Sequence, residues 1–201
     1  MEDSGMKRRF TLIEVLTVIV IMSVLMAIMA AGYRHFGEEE KTRSGARALS
    51  RALLLARSEA IASRRRVAVL LPERNAPIRL HGTYAWCHVS KQGKCEGLVP
   101  RTKIEWFPPG AEVIKIGLAP GVTEGNPFQT VSLDWSMLGE ASGNGTCRAV
   151  IYRQNGAIVD EVARRLTIAR VDQTGKQIPN TSSYVIEVQG YTGSSSFVRE
   201  K

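Results

Sequence analysis

Glu14 is the side chain with the clearest chemical demand. It sits in Phe10-Thr11-Leu12-Ile13-Glu14-Val15-Leu16, at the head of an apolar run that reaches Ala31. An ionised carboxylate at bilayer depth costs roughly 2.5–3.5 kcal/mol on insertion scales. A segment that served only as an anchor would carry Leu or Val there. Such a carboxylate calls for a nearby cation, and the apolar run beyond it offers none. The nearest fixed cation would be a new α-amine at Phe10, created by removal of the nine residues before it. In one chain that amine lies about 6 Å along a helix axis at 1.5 Å rise per residue. Between neighbouring copies in a helical bundle, the Glu14 of one would meet the Phe10 amine of the next.

The cysteines form a second candidate. Cys87 and Cys95 bracket His88-Val89-Ser90-Lys91-Gln92-Gly93-Lys94, a loop that a disulfide can close. An exported location permits the bond, and its stabilisation would be roughly 2–3 kcal/mol by loop entropy. Cys147 is left over and reads as a small buried residue. The competing reading of Cys87, His88 and Cys95 is a zinc site, but it lacks a fourth ligand and the paired CxxC spacing of strong zinc motifs. His35, His81 and His88 are scattered, with no Ser, Asp or Cys beside them in a catalytic pattern. No Gly-rich phosphate loop follows a strand. Neither a catalytic residue nor a cofactor is expected, and the chain reads as an enzyme's substrate rather than an enzyme.

These residues need elements to hold them. At 201 residues the chain has room for one globular domain beside its N-terminal segment. The net charge is +8, of which +1 falls in residues 1–9 and +7 in the remainder. The arginines are spread out, which favours a solvated surface over a nucleic-acid or other polyanion site. The segment from Phe10 to Ala31 is 22 residues long, about 33 Å as helix, enough to cross a ~30 Å hydrocarbon core. Its length and its carboxylate argue against a secretory signal, whose apolar core spans 7–15 residues. Lys7, Arg8 and Arg9 keep the leader cytoplasmic and send the rest across the membrane.

Past Ala31 the helix is expected to continue, softened by Gly32, Gly37 and Gly45. Ala46, Leu49, Ala52, Leu53, Ala56 and Ala60 recur at helical period, with Arg47, Arg51 and Ser58 opposite. That stripe reads as the side against which a β-domain packs. The helix should end between Ser63 and Arg66, where basic residues suit its C-terminal dipole. Beyond Arg66 the periodicity predicts strands at Val67–Leu71, Arg101–Trp106, Val113–Leu118, Thr130–Trp135, Cys147–Arg153, Ala157–Val162, Leu166–Val171 and Tyr184–Val188. Asn155-Gly156 is the sharpest hairpin signal, and Gly143-Asn144-Gly145 and Thr174-Gly175 mark further turns. The layout is α+β: a leader over 1–9, a transmembrane helix over 10–32, its amphipathic continuation over 33–66, and an exported β-rich domain over 67–201 with a meandering antiparallel sheet.

Phe10-Thr11-Leu12-Ile13-Glu14-Val15-Leu16 after a short basic leader resembles the N-terminus of type IV prepilins and pseudopilins. The segment Arg47–Ile61, with Ala56-Arg57-Ser58-Glu59-Ala60-Ile61 leading into Val67-Ala68-Val69-Leu70, is similar to the GspH/FimT family of minor pseudopilins. Leu133-Asp134-Trp135-Ser136-Met137-Leu138-Gly139 is a weaker match to that family's mid-domain strand and turn. The resemblance implies a pilin-like fold and a structural subunit of a type II secretion pseudopilus. It implies cleavage by a prepilin peptidase between Arg9 and Phe10, methylation of the Phe10 amine, and assembly with other pseudopilins or pilins through N-terminal helices guided by Glu14. Arg9 stands where the family usually carries Gly. The implied location is single-pass in the inner membrane with a periplasmic domain. A minor pilin of a type IV pilus, used for adhesion or DNA uptake, and a non-assembling membrane-anchored binding domain are the alternatives.

Overall fold

The computed structural model describes residues 11–73, 76–126, 128–179 and 181–200. A helix, α1, runs Leu12–Ser63 and feeds a domain of short strands. The chain divides into two compact units, one ending at Glu38 and the other beginning at Glu39.

In the first unit, Leu12–Met29 is an 18-residue stretch of mean hydropathy 2.7 with none of its residues buried. It is long and apolar enough to cross a membrane. Its hydroxyls bond their own helix: Thr17 Oγ1 donates to the Ile13 carbonyl at 2.5 Å and Ser23 Oγ to the Ile19 carbonyl at 2.7 Å. Inside a bilayer these two hydroxyls would present no unsatisfied donor.

Among the described residues, the second unit contains the rest of α1 and ten strands. They are β1 Val67–Leu71, β2 Thr83–Val89, β3 Cys95–Leu98, β4 Glu105–Trp106, β5 Ala111–Leu118, β6 Gln129–Asp134, β7 Asn144–Tyr152, β8 Arg164–Arg170, β9 Ser183–Val188 and β10 Ser195–Glu200. The strands form two sheets rather than the single meander expected. One has the order β3-β2-β1-β7-β6, with β4 also paired to β2; the other has the order β10-β9-β8-β5. All named strand pairs are antiparallel. The first sheet curls until its outer strands meet: Lys94 bridges Ser132 in parallel, and the Ser132 amide donates to the Gly93 carbonyl at 3.0 Å.

The helical stripe read from the sequence is the face on which both sheets pack. Ala46, Leu49, Ala52, Leu53, Ala56 and Ala60 are all buried and share one core with Val69, Trp86, Val150 and Tyr152 of the first sheet and Leu166, Ile168 and Ile186 of the second. The Trp86 indole N–H donates to the Ala52 carbonyl at 3.0 Å, fixing strand β2 against the helix. Gly45 is a packing residue rather than a softening one. A Cβ there would stand 3.3 Å from the Ala111 Cβ, so its hydrogen lets the β-domain approach. The helix stops at Ser63, and Arg64 takes the left-handed conformation (φ 53°) that usually falls to Gly after a helix end.

Several strand expectations need correction. The run Ala157–Val162 is not a strand. Asn155-Gly156 does make its turn, with the Asn155 side chain accepting from the Ala157 amide at 3.1 Å. The chain then leaves β7 after a single bridge, Tyr152 to Ile158, because the Ile158 amide donates to Gly190 instead. Arg101–Trp106 is strand only at its last two residues, and Asn144-Gly145 begins β7 rather than turning. At Gly145 a Cβ would collide with the Trp135 ring at 2.3 Å, so that glycine admits the indole. Strands β2, β3 and β10 were not anticipated. Every residue of β2 is buried, so no alternation marks it in the sequence.

Candidate functional site

Arg9 and Phe10, the expected cleavage and methylation positions, lie outside the described residues. Glu14 is described and exposed in the first turn of α1. The Thr11 carbonyl accepts from the Glu14 amide at 3.0 Å and from the Val15 amide at 3.3 Å, so the helix starts at Thr11. Thr11 is thus the N-cap and Glu14 the third residue inside, the spacing of a capping box. A carboxylate there also faces the partial positive charge of the helix N-terminus. Sequence reasoning passed over this Thr-x-x-Glu spacing, which gives Glu14 a local role beside the assembly role that the resemblance implies.

Cys87, Cys95 and Cys147 are buried and free, and all three line the inner core of the curled sheet with Ala68, Leu70, Val131 and Ala149. Cys147 is buried, as its residue type suggested. Curling of the sheet brings it into their cluster. Cys87 stands opposite Leu98 while Cys95 stands opposite Val89, so the two cysteines are diagonal neighbours across β2 and β3. Directly opposed or closer Cβ atoms suit a disulfide better. The two thiols act on each other, which raises Cys87 and lowers Cys95 from their ordinary values. Burial pushes Cys147 up to about 12. Among the described residues no group of three His, Cys, Asp or Glu side chains is placed to hold a metal ion. The zinc alternative therefore has no ligand set there. His88 is buried on the opposite face of β2 from Cys87, and burial, then the charge of Arg65, lowers its pKa.

One buried ion pair was invisible to sequence reading. The Arg164 side chain is fully buried and paired with Asp160, with one bond from Nη1 to Oδ1 at 2.8 Å and a second from Nη2 to Oδ2. Its guanidinium also donates to the carbonyls of Val162 at 3.1 Å and Asn126 at 3.4 Å. A bidentate fork of this kind fixes direction as well as charge. It ties the start of β8 to the loop after β7.

No protein-family profile matches the chain, and no curated protein sequence does. Among solved structures it is similar to the type IV minor pilin FimU of Pseudomonas aeruginosa, with 15% identity, 83% of this chain and 92% of that one covered, and a TM-score of 0.46. It is also similar to the minor pseudopilin EpsH from the type II secretion system of Vibrio cholerae, with 13% identity, 81% and 96% covered, and a TM-score of 0.46. A second EpsH structure gives 11% identity, 79% and 97% covered, and a TM-score of 0.43.

Proposed function

We propose that the chain is a membrane-anchored structural subunit of a pilin-like filament, a minor pseudopilin that assists protein export through a type II secretion pseudopilus. The observation that carries this reading is Glu14, a carboxylate in the first turn of an otherwise apolar helix long enough to span a bilayer. Among the described residues of a single copy no cation pairs with that carboxylate; a filament of such helices would supply one from the next subunit. The amphipathic part of α1 then presents a β-domain outside the membrane, with the leader on the cytoplasmic side. Purification of the full chain from its native envelope under mild crosslinking tests the reading. Recovery of other subunits with Phe-Thr-Leu-Ile-Glu-type N-termini, together with a secretin-based export machine, supports it. Recovery with retractile pilus subunits instead would make it a minor pilin, and recovery as a lone species would make it a non-assembling anchored domain.

Processing follows from the same reading. Cleavage between Arg9 and Phe10 frees the amine that Glu14 lacks, despite the bulk and charge of Arg9 at the usual glycine position. Intact-mass measurement on protein from its native membrane should give an N-terminus at Phe10, methylated. A mass that retains Met1–Arg9 would show an unprocessed subunit, whose Lys7, Arg8 and Arg9 would have to snorkel toward the carboxylate.

The cysteine pairing is likewise part of the proposal. In exported protein, Cys87 and Cys95 close the one disulfide and Cys147 stays reduced. The diagonal register requires a small shift at the irregularity between His88 and Val89 to bring the two Cβ atoms together. Non-reducing peptide mapping should find the 87–95 link alone; a link to Cys147, or three free thiols, refutes the pairing.

A further inference from the structure

We infer that the outward face of α1 between Glu40 and Ile61 packs against the helix of a different subunit, one that presents a ladder of carboxylates continued by apolar side chains. The inference rests on the filament-subunit reading and names the chemistry of the neighbour. Arg43, Arg47, Arg51, Leu54, Ser58 and Ile61 recur at steps of three and four residues, which sets them along one side of the helix. All six are exposed. The side they share lies opposite the buried stripe from Ala46 to Ala60, so the β-domain holds one face of this stretch and leaves the other open.

Its charge is one-sided. Residues 40–51 carry Lys41, Arg43, Arg47 and Arg51 against a single carboxylate, Glu40. Glu40 stands 3.8 Å from the Arg43 guanidinium and 3.6 Å from that of Arg47, both too far for a hydrogen bond. Glu39, the carboxylate before it, is engaged by Arg199 at 2.7 Å and by the Tyr184 hydroxyl at 3.3 Å. Among the described residues, the Lys41 and Arg51 side chains have no ion pair or hydrogen bond. Arg43 and Arg47, and again Arg47 and Arg51, stand four residues apart, the spacing at which like charges on a helix oppose one another. Carboxylates from a neighbour would turn that repulsion into attraction.

The spacing selects a helix as the occupant. Four residues rise about 6 Å along the axis, so carboxylates four residues apart on a helix running alongside come level with the three guanidiniums in turn. Leu54 and Ile61, 46% and 47% exposed, continue the same line beyond Arg51. A helix can match them with apolar side chains, whereas a phosphate backbone cannot. A second copy of this chain brings no such ladder. After Glu40 its helix carries one carboxylate, Glu59, which falls off this face by helical period. Two copies side by side would set arginine against arginine, so the neighbour is a different subunit.

The test uses the full chain in lipid nanodiscs and three labelled probes read by fluorescence anisotropy. One is a lactam-stapled helix with Glu at every fourth residue followed by Leu, the second replaces its Glu by Lys, and the third is a DNA duplex. The acidic helix should bind at least tenfold more tightly than either of the others. Arg47→Glu combined with Arg51→Glu should keep the Tm, since Arg43 then faces an opposite charge four residues on. The double variant should bind the acidic helix at least tenfold more weakly and take the Lys helix in its place. Equal binding of the acidic helix and either other probe, or no exchange of preference in the double variant, would overturn the proposal. So would self-association that the double variant dissolves while the acidic helix fails to bind, since the occupant would then be a second copy. In the native envelope, Ser58→benzoylphenylalanine should photocrosslink to a segment of another subunit with carboxylates four residues apart, and the double reversal should abolish that capture. No capture from position 58, capture of a segment without carboxylates, or capture that survives the reversal, in a chain that still crosslinks to filament subunits elsewhere, would overturn the proposal and leave the filament reading in place. A chain that crosslinks to no subunit at all would remove both.

Discussion

Glu14→Ala is expected to leave the protein in the membrane fraction at wild-type level and to abolish its crosslinks to other filament subunits. Insertion does not need the carboxylate, because removal of a charge from an apolar helix lowers the insertion cost by roughly 2.5–3.5 kcal/mol. On the proposed filament reading, assembly does need it. A carboxylate and an amine ~4 Å apart attract by about 4 kcal/mol at an effective dielectric near 20, but only when a neighbour brings the amine. The Thr11 cap offers a rival explanation for the same residue, namely that Glu14 merely closes the helix start. Glu14→Gln separates the two, because Gln completes a capping box yet carries no charge. Crosslinking should be lost in the Gln variant as in the Ala variant. Wild-type crosslinking in Glu14→Gln would assign the residue to capping alone.

The second large effect is on stability. Asp160→Ala should destabilise the β-domain by about 3–5 kcal/mol, because it strands the fully buried Arg164 guanidinium without its counter-charge. For a chain of this size that lowers the Tm by roughly 10 °C. Adding Arg164→Met to that variant should recover most of the loss, since an apolar side chain of similar length does not need the partner. A double variant no more stable than Asp160→Ala would show that Arg164 works through its hydrogen bonds to Val162 and Asn126 rather than through the pair. The pH dependence has a definite sign. Burial alone would raise the Asp160 carboxyl, but the hydrogen bond and charge of Arg164 outweigh it and hold the group below the usual carboxylate range. The contribution of the pair is therefore complete above the ordinary carboxylate pKa of about 3.9 and is lost as pH falls through the lower folded value. Urea unfolding midpoints should fall between pH 4 and 2 in wild type, with a shallower fall in Asp160→Ala.

The long helix was legible because two simple signals overlap on it: an apolar run of membrane length and then a stripe at period 3.6. Each residue of the stripe from Ala46 to Ala60 is buried as its spacing required. Glu14 was legible because its type violates its surroundings. The division into two sheets was not, since local alternation says which residues face a core but not which strands meet. Antiparallel β1 and β7 are adjacent although some seventy residues separate them. The uniformly buried β2 lacks the alternation that marks a half-buried strand. The three-thiol cluster arises from that non-local pairing, whereas Arg164 and Asp160 are only four residues apart and it is the burial of Arg164 that local patterning does not reveal. The left-handed backbone at Arg101 falls on a residue type that gives no hint of it.

The meeting of β3 with β6 has a consequence for life at high density. A curled sheet whose outer strands bond each other has little backbone left to recruit a strand from a neighbour. Among the described residues, the strands bonded on one side alone in the other sheet are β5 and β10. Strand β5 carries an irregularity between Val113 and Lys115 and a charge at Lys115, features that discourage edge pairing. Strand β10 places Arg199 in an ion pair with Glu39 at 2.7 Å, which ties that edge to the helix. Many copies crowded together, as the proposed anchoring in one membrane would crowd them, would thus have few routes to stick by their strands, and pairing through β10 would first have to release it from Glu39.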